Sequence, residues 1–390
     1  MEQLTANYKK LLGETPTAFH RYSFDRINWS NRLVGIVGPR GVGKTTMMLQ
    51  YIKEHLNEDE TLYVTADDFY FSTHKLIDLA DEFAKMGGKH LFIDEIHKQE
   101  DWARELKLIY DYHAELQVVF SGSSVLDITK GATADLSRRA IVNHMQGLSW
   151  REYLQLFHHI TLPVYSLDDI LQHKVRLPEG FRPLASFREY LQNGYYPFAA
   201  EDDYHQRLLG IINKTLEVDI PQYASMNASM ARRLKRLLAI ISESVPFKPN
   251  MTTLGQALGV SRNNVADYLL YIEEAGIIAQ LRDATGGIRG LGKVSKIYLD
   301  NPNLAYALGN GLTNTGNIRE TFFFNQMRVH QDVVVSTVSD FQIDNYTFEI
   351  GGRKKGNKQI SGIDQAFVVK DDIEYGFGNT IPLWAFGLNY

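Results

Sequence analysis

The chain has 390 residues, 44% hydrophobic and 22% charged, which is the composition of a globular protein with room for roughly two or three domains. Its formal net charge of −5 excludes a general attraction to nucleic acid or acidic membranes, so any basic binding site has to be local. Cysteine is absent, which excludes disulfides and thiolate zinc sites, and no apolar run approaches the roughly 20 residues of a membrane span, so we expect a cytoplasmic protein without a membrane partner.

The first predicted strand runs into a glycine-rich loop that is followed by a helix. Residues 33–37 are apolar and β-rich, the next eight fit the pattern G-x-x-x-x-G-K-[ST], and TTMMLQYIKEHL continues as a helix. Backbone N–H groups of such a loop face the phosphates of ATP, Lys44 reaches the β- and γ-phosphates, and Thr45 can ligate Mg²⁺. The predicted nucleotide-binding residues are Gly38, Pro39, Arg40, Gly41, Val42, Gly43, Lys44, Thr45 and Thr46.

An acidic pair closes the third predicted strand. A strand at 61–68 and an amphipathic helix around 74–86 come first, and then LFIDE ends in Asp94 and Glu95. In a P-loop ATPase, Asp94 would hold Mg²⁺ through water and Glu95 would polarise the attacking water. The alternative is a strand that ends in a solvated acidic turn.

The next strand, LQVVFSGSS at 116–124, follows a helix predicted at 101–112. Where such a strand lies between the P-loop strand and the acidic strand, its polar end orients the attacking water. Ser121 is the candidate for this role and Ser123 the reserve, and the alternative is that small residues simply close the strand.

Two arginines, Arg138 and Arg139, follow in LSRRA. Either could complete the positive charge around the γ-phosphate from a neighbouring subunit, or pair with a local acid.

The motifs GPRGVGKTT, LFIDEIHKQEDW, FSGSS and LSRRA…QGLSWREYL resemble a prokaryotic AAA+-like ATPase family whose C-terminal domain is distantly nuclease-like. The resemblance extends to NGYYPF and KIYLDNPNLAYAL. It implies an α/β fold with a P-loop parallel-sheet core of the ASCE class at 1–150, a helical lid at 151–229, a winged helix at 230–312 and a small α/β domain at 313–390. It also implies that Pro197, in the lid, packs on the adenine and that Tyr22 lies on the other side of the base; the alternative for Pro197 is an ordinary turn.

Residues 230–300 have the pattern of a winged helix. Thr252 or Thr253 is predicted to cap one helix, Ser261 caps the next at 262–275, and the segment after Gly276 has the pattern of a two-stranded wing. Basic residues are concentrated on the preceding helix and the wing (Arg232, Arg233, Lys235, Arg236, Arg289, Lys293 and Lys296), not on the helix that would enter a DNA groove. Such a distribution could hold phosphates without reading sequence, or could dock on the ATPase core.

The last 78 residues combine a helix with short β-rich runs and three acids, Glu320, Asp340 and Glu349. This layout resembles that of PD-(D/E)xK nucleases, in which such acids bind a divalent metal and a lysine two residues after the last acid assists the phosphate. Here Gly351 stands at the lysine position, and the basic residues are displaced to Arg353, Lys354 and Lys355, which either reach back or are solvated. We therefore expect a retained fold with lost or altered nuclease activity.

These patterns predict a homo-oligomeric AAA+-like ATPase that hydrolyses Mg·ATP and couples nucleotide state to the movement of domains or subunits. Lys44, Glu95, Ser121, Arg138 and Arg139 are the predicted catalytic residues, and Thr45 and Asp94 the predicted metal ligands. Two alternatives stay open. One is an ATP-regulated protein that binds or cuts nucleic acid through the winged helix and the C-terminal domain. The other is a nucleotide-gated assembly or defence scaffold.

Overall fold

The computed structural model describes residues 1–122, 136–224, 228–284, 293–309 and 314–390. The chain divides into two compact units, Met1–Gly147 and Leu148–Tyr390. The finer division of the second unit into lid, winged helix and tail stays a prediction. None of the helices in the described ranges is both long and apolar enough to cross a bilayer.

The first unit is built on a parallel sheet. Its strands are β1 (Leu33–Val37), β2 (Thr61–Thr65), β3 (His90–Asp94), β4 (Gln117–Gly122) and β5 (Ile141–His144). Their order is β2-β3-β4-β1-β5, so β4 lies between the P-loop strand and the strand that ends in Asp94, as expected of an ASCE-type core. All pairs are parallel, and β1 is buried along its whole length, which explains its unbroken apolar sequence.

Among the described residues of this unit, four α-helices accompany the sheet: α1 (Glu2–Glu14), α2 (Lys44–His55), α3 (Leu76–Lys85) and α4 (Trp102–Tyr112). The amphipathic helix predicted around 74–86 is α3, which buries Leu76, Leu79, Ala80 and Phe83 at helical spacing. The helix predicted at 101–112 is α4. Because all five strands run the same way, the P-loop after β1, Asp94 at the end of β3 and Ser121 near the end of β4 meet at one edge of the sheet.

The second unit begins with helices, as predicted for 151–229. The helices are α5 (Trp150–His158), α6 (Leu167–Leu171), α7 (Pro183–Asn193), α8 (Tyr204–Lys214), α9 (Ile220–Tyr223), α10 (Ala228–Ser242), α11 (Met251–Leu258), α12 (Arg262–Glu274), α13 (Pro302–Leu308) and α14 (Thr315–Met327). A capping box starts α5, since Ser149 Oγ accepts from the N–H of Glu152 and the Glu152 carboxylate accepts from the N–H of Ser149.

The region with a winged-helix pattern contains α10, α11 and α12, followed by the antiparallel strands β6 (Ile278–Arg282) and β7 (Val294–Leu299). Ser261 caps α12, as predicted. The cap of α11 is Asn250 and not Thr252 or Thr253, because the Asn250 side chain accepts from both threonine N–H groups. The helix therefore begins at Met251, two or three residues earlier than the predicted caps imply. Arg289, counted among the basic wing residues, lies outside the described residues.

The C-terminal part forms a mixed sheet. Its strands are β8 (Val333–Val335), β9 (Phe341–Ile343), β10 (Tyr346–Gly351), β11 (Ala366–Lys370) and β12 (Thr380–Pro382). Strand β10 pairs antiparallel with β9 and parallel with β11. Helix α14 contributes Phe323, whose ring contacts the rings of Phe341, Phe348 and Phe386, so an aromatic core joins helix and sheet.

Candidate nucleotide site

The P-loop has the backbone that phosphate binding requires. Gly41 and Gly43 adopt φ values of 85° and 98°, and Gly43 is the residue from which α2 begins. A side chain at Gly38 would overlap the carbonyl oxygen of Met145, so only glycine fits there. The loop therefore leads into the N-terminus of a helix whose N–H groups are available for an anion.

Lys44 is the first residue of α2 and is almost fully buried. Its Nζ donates to the carbonyl oxygens of Gly38 and Pro39, at 2.9 Å each. Burial lowers the pKa of Lys44 to about 8, against the opposing influence of Glu95 and Asp94. The lysine is thus held inside the P-loop and is close to its titration range at neutral pH.

Asp94 is the centre of a buried hydrogen-bond network. It accepts from Thr45 Oγ1, from Tyr63 OH at 2.8 Å, from Ser121 Oγ and from the N–H of Glu95 at 3.0 Å. The structure thereby brings together the two predicted metal ligands, Thr45 and Asp94, and the two oxygens suit a hard cation such as Mg²⁺. Ser121, predicted to orient water, is fully buried and donates to Asp94.

Tyr63 is a site residue that sequence reasoning missed. It lies in β2, is 4% exposed, and its hydroxyl reaches across to the neighbouring strand β3. Burial, together with the charge of Asp94, raises the pKa of Tyr63, so the phenol stays a donor. The hydroxyl of a tyrosine in a buried strand usually has a hydrogen-bond partner, and the sequence itself does not indicate which residue that is.

Glu95, the predicted general base, has a left-handed backbone with φ of 51°. Its Oε2 lies 3.7 Å from Arg40 Nη2 of the P-loop and 3.4 Å from His97 Nε2. The carboxylate therefore stands next to the loop that would carry the γ-phosphate. His97 is buried and was not predicted from the sequence.

The two candidate arginines differ in their surroundings. Arg139 forms a two-pronged ion pair with Asp111, with Nε 3.0 Å from Oδ1 and Nη2 3.1 Å from Oδ2. Arg138 is exposed and adopts φ of 71°. The sequence left open whether these arginines act on a neighbouring subunit or pair with a local acid, and Arg139 is paired with a local acid. Ser123, the reserve for Ser121, lies outside the described residues.

Tyr22 directly follows Arg21, whose contact with the P-loop was not predicted from the sequence. The buried Arg21 guanidinium donates to the carbonyl oxygens of Val42 in the P-loop, Gln146 at 2.7 Å and Gly147 at 2.8 Å. It ties the P-loop to the chain after β5. Tyr22 is half-buried beside this contact, and its role at the base stays a prediction.

Pro197 belongs to the second unit, where it is half-buried and follows the buried Tyr195 and Tyr196. Asn303 holds this turn, since its Oδ1 accepts from the N–H of Tyr195 at 2.8 Å and its Nδ2 donates to the carbonyl of Leu191 at 2.9 Å. The NGYYPF segment is thus built into the core of the second unit. A contact between Pro197 and adenine stays a prediction.

Glu320, Asp340 and Glu349 converge in the second unit, and we call them the acid cluster. Each has a lysine beside it: Lys296 for Glu320 and Asp340, and Lys355 for Glu349. Among the described residues, no group of three or more His, Asp or Glu side chains is arranged to hold a metal ion. The basic turn after β10 therefore does reach back, through Lys355.

Comparison with known proteins gives two family matches. Residues 30–154 match a family described as "AAA domain", and residues 184–316 match a domain of unknown function. The first match spans β1 to β5 and all of the geometry around Asp94. The matched residues are those that form the P-loop and its parallel sheet. The second match lies over the middle of the chain and barely enters the tail at 313–390.

Several solved structures are similar to the chain at low identity. A Walker-type ATPase of Pyrococcus abyssi is 12% identical, with 77% of this chain and 99% of that chain covered and a TM-score of 0.45. AMPPCP-bound DnaA from Aquifex aeolicus is 14% identical, with 70% and 88% covered and a TM-score of 0.27. NtrX from Brucella abortus in complex with ADP is 13% identical, with 69% and 72% covered and a TM-score of 0.31. No curated protein sequence matches the chain.

Proposed function

We propose that the AAA-type domain binds Mg·ATP at Gly38–Thr46 and hydrolyses it to ADP and phosphate. The proposal rests on the convergence of Thr45, Tyr63 and Ser121 on Asp94. Asp94 ends β3, which is separated from the P-loop strand β1 only by β4. Hydrogen bonds from this many donors fix the orientation of the buried carboxylate, which a metal-binding aspartate requires.

Each residue of the site has a part in this proposal. The P-loop N–H groups and Lys44 bind the phosphates, while Thr45 and Asp94 hold Mg²⁺, which neutralises phosphate charge when bound. Glu95 accepts the proton of the attacking water. The water oxygen bonds to the γ-phosphorus, the bond between the γ-phosphorus and the β–γ bridging oxygen breaks, and the electron pair of the broken bond leaves with ADP.

A substitution of Glu95 tests the assignment of the base. Glu95→Gln keeps the size and a hydrogen-bonding group, so we expect ATP to bind with unchanged affinity and turnover to be lost. Calorimetry and a phosphate-release assay measure the two quantities separately. Turnover that survives in Glu95→Gln contradicts the assignment, and a wild-type chain that binds no ATP contradicts the proposed function itself.

We also propose that the chain assembles into a homo-oligomer in which one subunit completes the site of the next. The exposed Arg138 supports this, because an arginine supplied to a γ-phosphate in trans has to be free to reach another molecule. Mass photometry with and without ATP tests the assembly. A monomer under both conditions contradicts it.

Non-specific nucleic-acid binding by the second unit is a second candidate. Arg232 and Arg236 are both exposed and lie four residues apart on α10, so they form one basic edge. Binding of a labelled DNA should weaken steeply with salt and be lost in the double variant Arg232→Ala, Arg236→Ala. A double variant that binds like the wild type excludes this surface.

A further inference from the structure

The acid cluster contains the three carboxylates that a PD-(D/E)xK-like layout would use for a metal. Glu320 lies in α14, Asp340 directly precedes β9, and Glu349 lies in β10. Burial and the charges of Glu320 and Glu349 raise the pKa of Asp340 to about 6, against the influence of Lys296 and the N–H of Ile350. The three groups are therefore close enough to affect one another electrostatically.

Lys296 stands between two of these carboxylates. Its Nζ lies 3.6 Å from Glu320 Oε2 and 3.7 Å from Asp340 Oδ1, and its side chain is 16% exposed. The lysine comes from β7, the second strand of the antiparallel pair. The ammonium group of Lys296 thus lies between Glu320 and Asp340, where a metal ion that bridges the two carboxylates would have to bind.

Lys355 supplies the charge for the third carboxylate. It forms an ion pair with Glu349 Oε1, and Glu349 is 1% exposed. A Cβ at Gly351 would lie 2.5–2.7 Å from three carbons of the Lys355 side chain. The glycine at the expected lysine position therefore makes room for the stem of a lysine that starts four residues later.

Each carboxylate of the cluster also accepts a hydrogen bond from a neutral donor. Tyr298 OH donates to Glu320 Oε2 at 2.7 Å, the N–H of Ile350 donates to Asp340 Oδ2 at 2.8 Å, and Ser339 Oγ donates to Glu349 Oε2. Each carboxylate consequently has one cationic and one neutral partner. Buried carboxylates without counter-charges would be strongly destabilising, so this pairing is what allows them to be buried.

A divalent cation does not fit this arrangement. It needs several oxygen ligands within roughly 2.0–2.6 Å, whereas the described carboxylates are turned to lysines and hydrogen-bond donors and do not form a metal-holding group. We infer that Lys296 and Lys355 take the place of a metal ion, and that the acid cluster is an internal ion-pair cluster that joins β7, α14 and the tail sheet. This inference is independent of the proposed ATPase function.

Thermal unfolding of the full chain without nucleotide, after chelator treatment, tests the inference. We expect Mn²⁺ or Mg²⁺ to shift the Tm of the wild type no more than that of Glu349→Ala, which lacks one acid of the cluster but keeps the nucleotide site. Lys296→Met and Lys355→Met should each lower the Tm by several degrees, because each leaves carboxylates without a counter-charge. In Lys296→Met, Mn²⁺ should restore part of the loss, since two carboxylates then lack a cation.

Matched controls separate this effect from a general loss of lysine. Lys293 and Lys354 are exposed neighbours of the two cluster lysines, so Lys293→Met and Lys354→Met should leave the Tm unchanged. Lys296→Arg, which keeps the charge, should lose less than Lys296→Met. Should Lys296→Met not fold, the metal titration of the wild type and Lys355→Met still decide the question.

Three results would overturn the inference. The first is a rise of the wild-type Tm with Mn²⁺ or Mg²⁺ that is absent in Glu349→Ala, which keeps the nucleotide site intact. The second is an unchanged Tm in both Lys296→Met and Lys355→Met. The third is metal-dependent cutting of plasmid DNA by the wild type that disappears in Glu349→Ala.

Discussion

The hydroxyl of Tyr63 donates to Asp94 Oδ2 across two neighbouring parallel strands, at 2.8 Å. The same oxygen accepts from Thr45 Oγ1 of the P-loop. One carboxylate oxygen thus links the phosphate-binding loop to a residue far from any recognisable motif. The position of Asp94 depends on a side chain from β2 as well as on its own strand.

Removal of this hydroxyl should weaken metal use more than nucleotide binding. In Tyr63→Phe, the loss of a hydrogen bond to a charged group costs about 1.5–3 kcal/mol, so we expect the Mg²⁺ concentration for half-maximal turnover to rise roughly tenfold or more. ATP affinity in the presence of chelator should be unchanged. Tyr112→Phe, at an exposed tyrosine of the same unit, is the matched control.

His97 should affect turnover through Glu95. Its Nε2 lies 3.4 Å from Glu95 Oε2, so the imidazole orients the carboxylate that we assign as the base. His97→Ala should lower kcat about tenfold with unchanged ATP affinity, and His97→Gln, which can still donate, should recover part of the loss. Equal losses of kcat and of binding would indicate a general structural role instead.

ATP binding should depend on pH through Lys44. The pKa of Lys44 in the free protein is lowered to about 8, first by burial, and the protonated form is the one that binds phosphate. Bound ATP favours the charged lysine and so raises its pKa. Affinity should therefore be constant below about pH 8 and fall by up to tenfold per pH unit above it.

Calorimetry at pH 7, 8 and 9 measures this dependence. Lys44→Arg carries a charge that does not titrate in this range, so whatever affinity it retains should not change with pH over the same interval. A flat profile for the wild type across the three pH values would contradict the assignment to Lys44.

Substitutions of the two neighbouring arginines should have different effects on stability and on ATPase activity. Arg139 is paired with Asp111, so Arg139→Ala and Asp111→Asn should have the same small effect on stability, about 0–1 kcal/mol for a pair this exposed. Arg138→Ala should leave stability unchanged and lower ATPase activity only at protein concentrations where subunits associate.

Mixing experiments extend this test. Arg138→Ala lowers and Glu95→Gln abolishes activity for different reasons, so a mixture of the two chains should be more active than either alone if the arginine acts on a neighbouring subunit. A mixture that is no more active than its components would place the function of Arg138 elsewhere.

The parts of the site that lie in continuous motifs could be predicted from the sequence. Thr45 and Asp94 lie in contact, as two ligands of one metal have to, because a P-loop and an acidic strand end have fixed positions in a parallel sheet. Their role as metal ligands stays a prediction. Tyr63 and Arg21 could not be predicted, since their contacts depend on which strand lies next to which and on where the chain returns after β5. No local pattern contains that information.

In the C-terminal part, too, the elements could be predicted from the sequence but one decisive contact could not. The predicted helix and strands are present, and the acids converge. The motif expects a lysine two residues after Glu349, where Gly351 stands, because that spacing assumes a straight strand. The chain turns at Gly351 and Gly352, so the lysine that contacts Glu349 is four residues beyond the expected position.

Gly351 and Lys355 therefore constrain each other's evolution. A lysine placed at position 351 would collide with the stem of Lys355 in its observed position, so that substitution requires the Lys355 side chain to move away from Glu349. Either residue can change without penalty only if the other changes too. Homologues should accordingly fall into two sets, with glycine at 351 and lysine at 355 in one, and neither of them in the other.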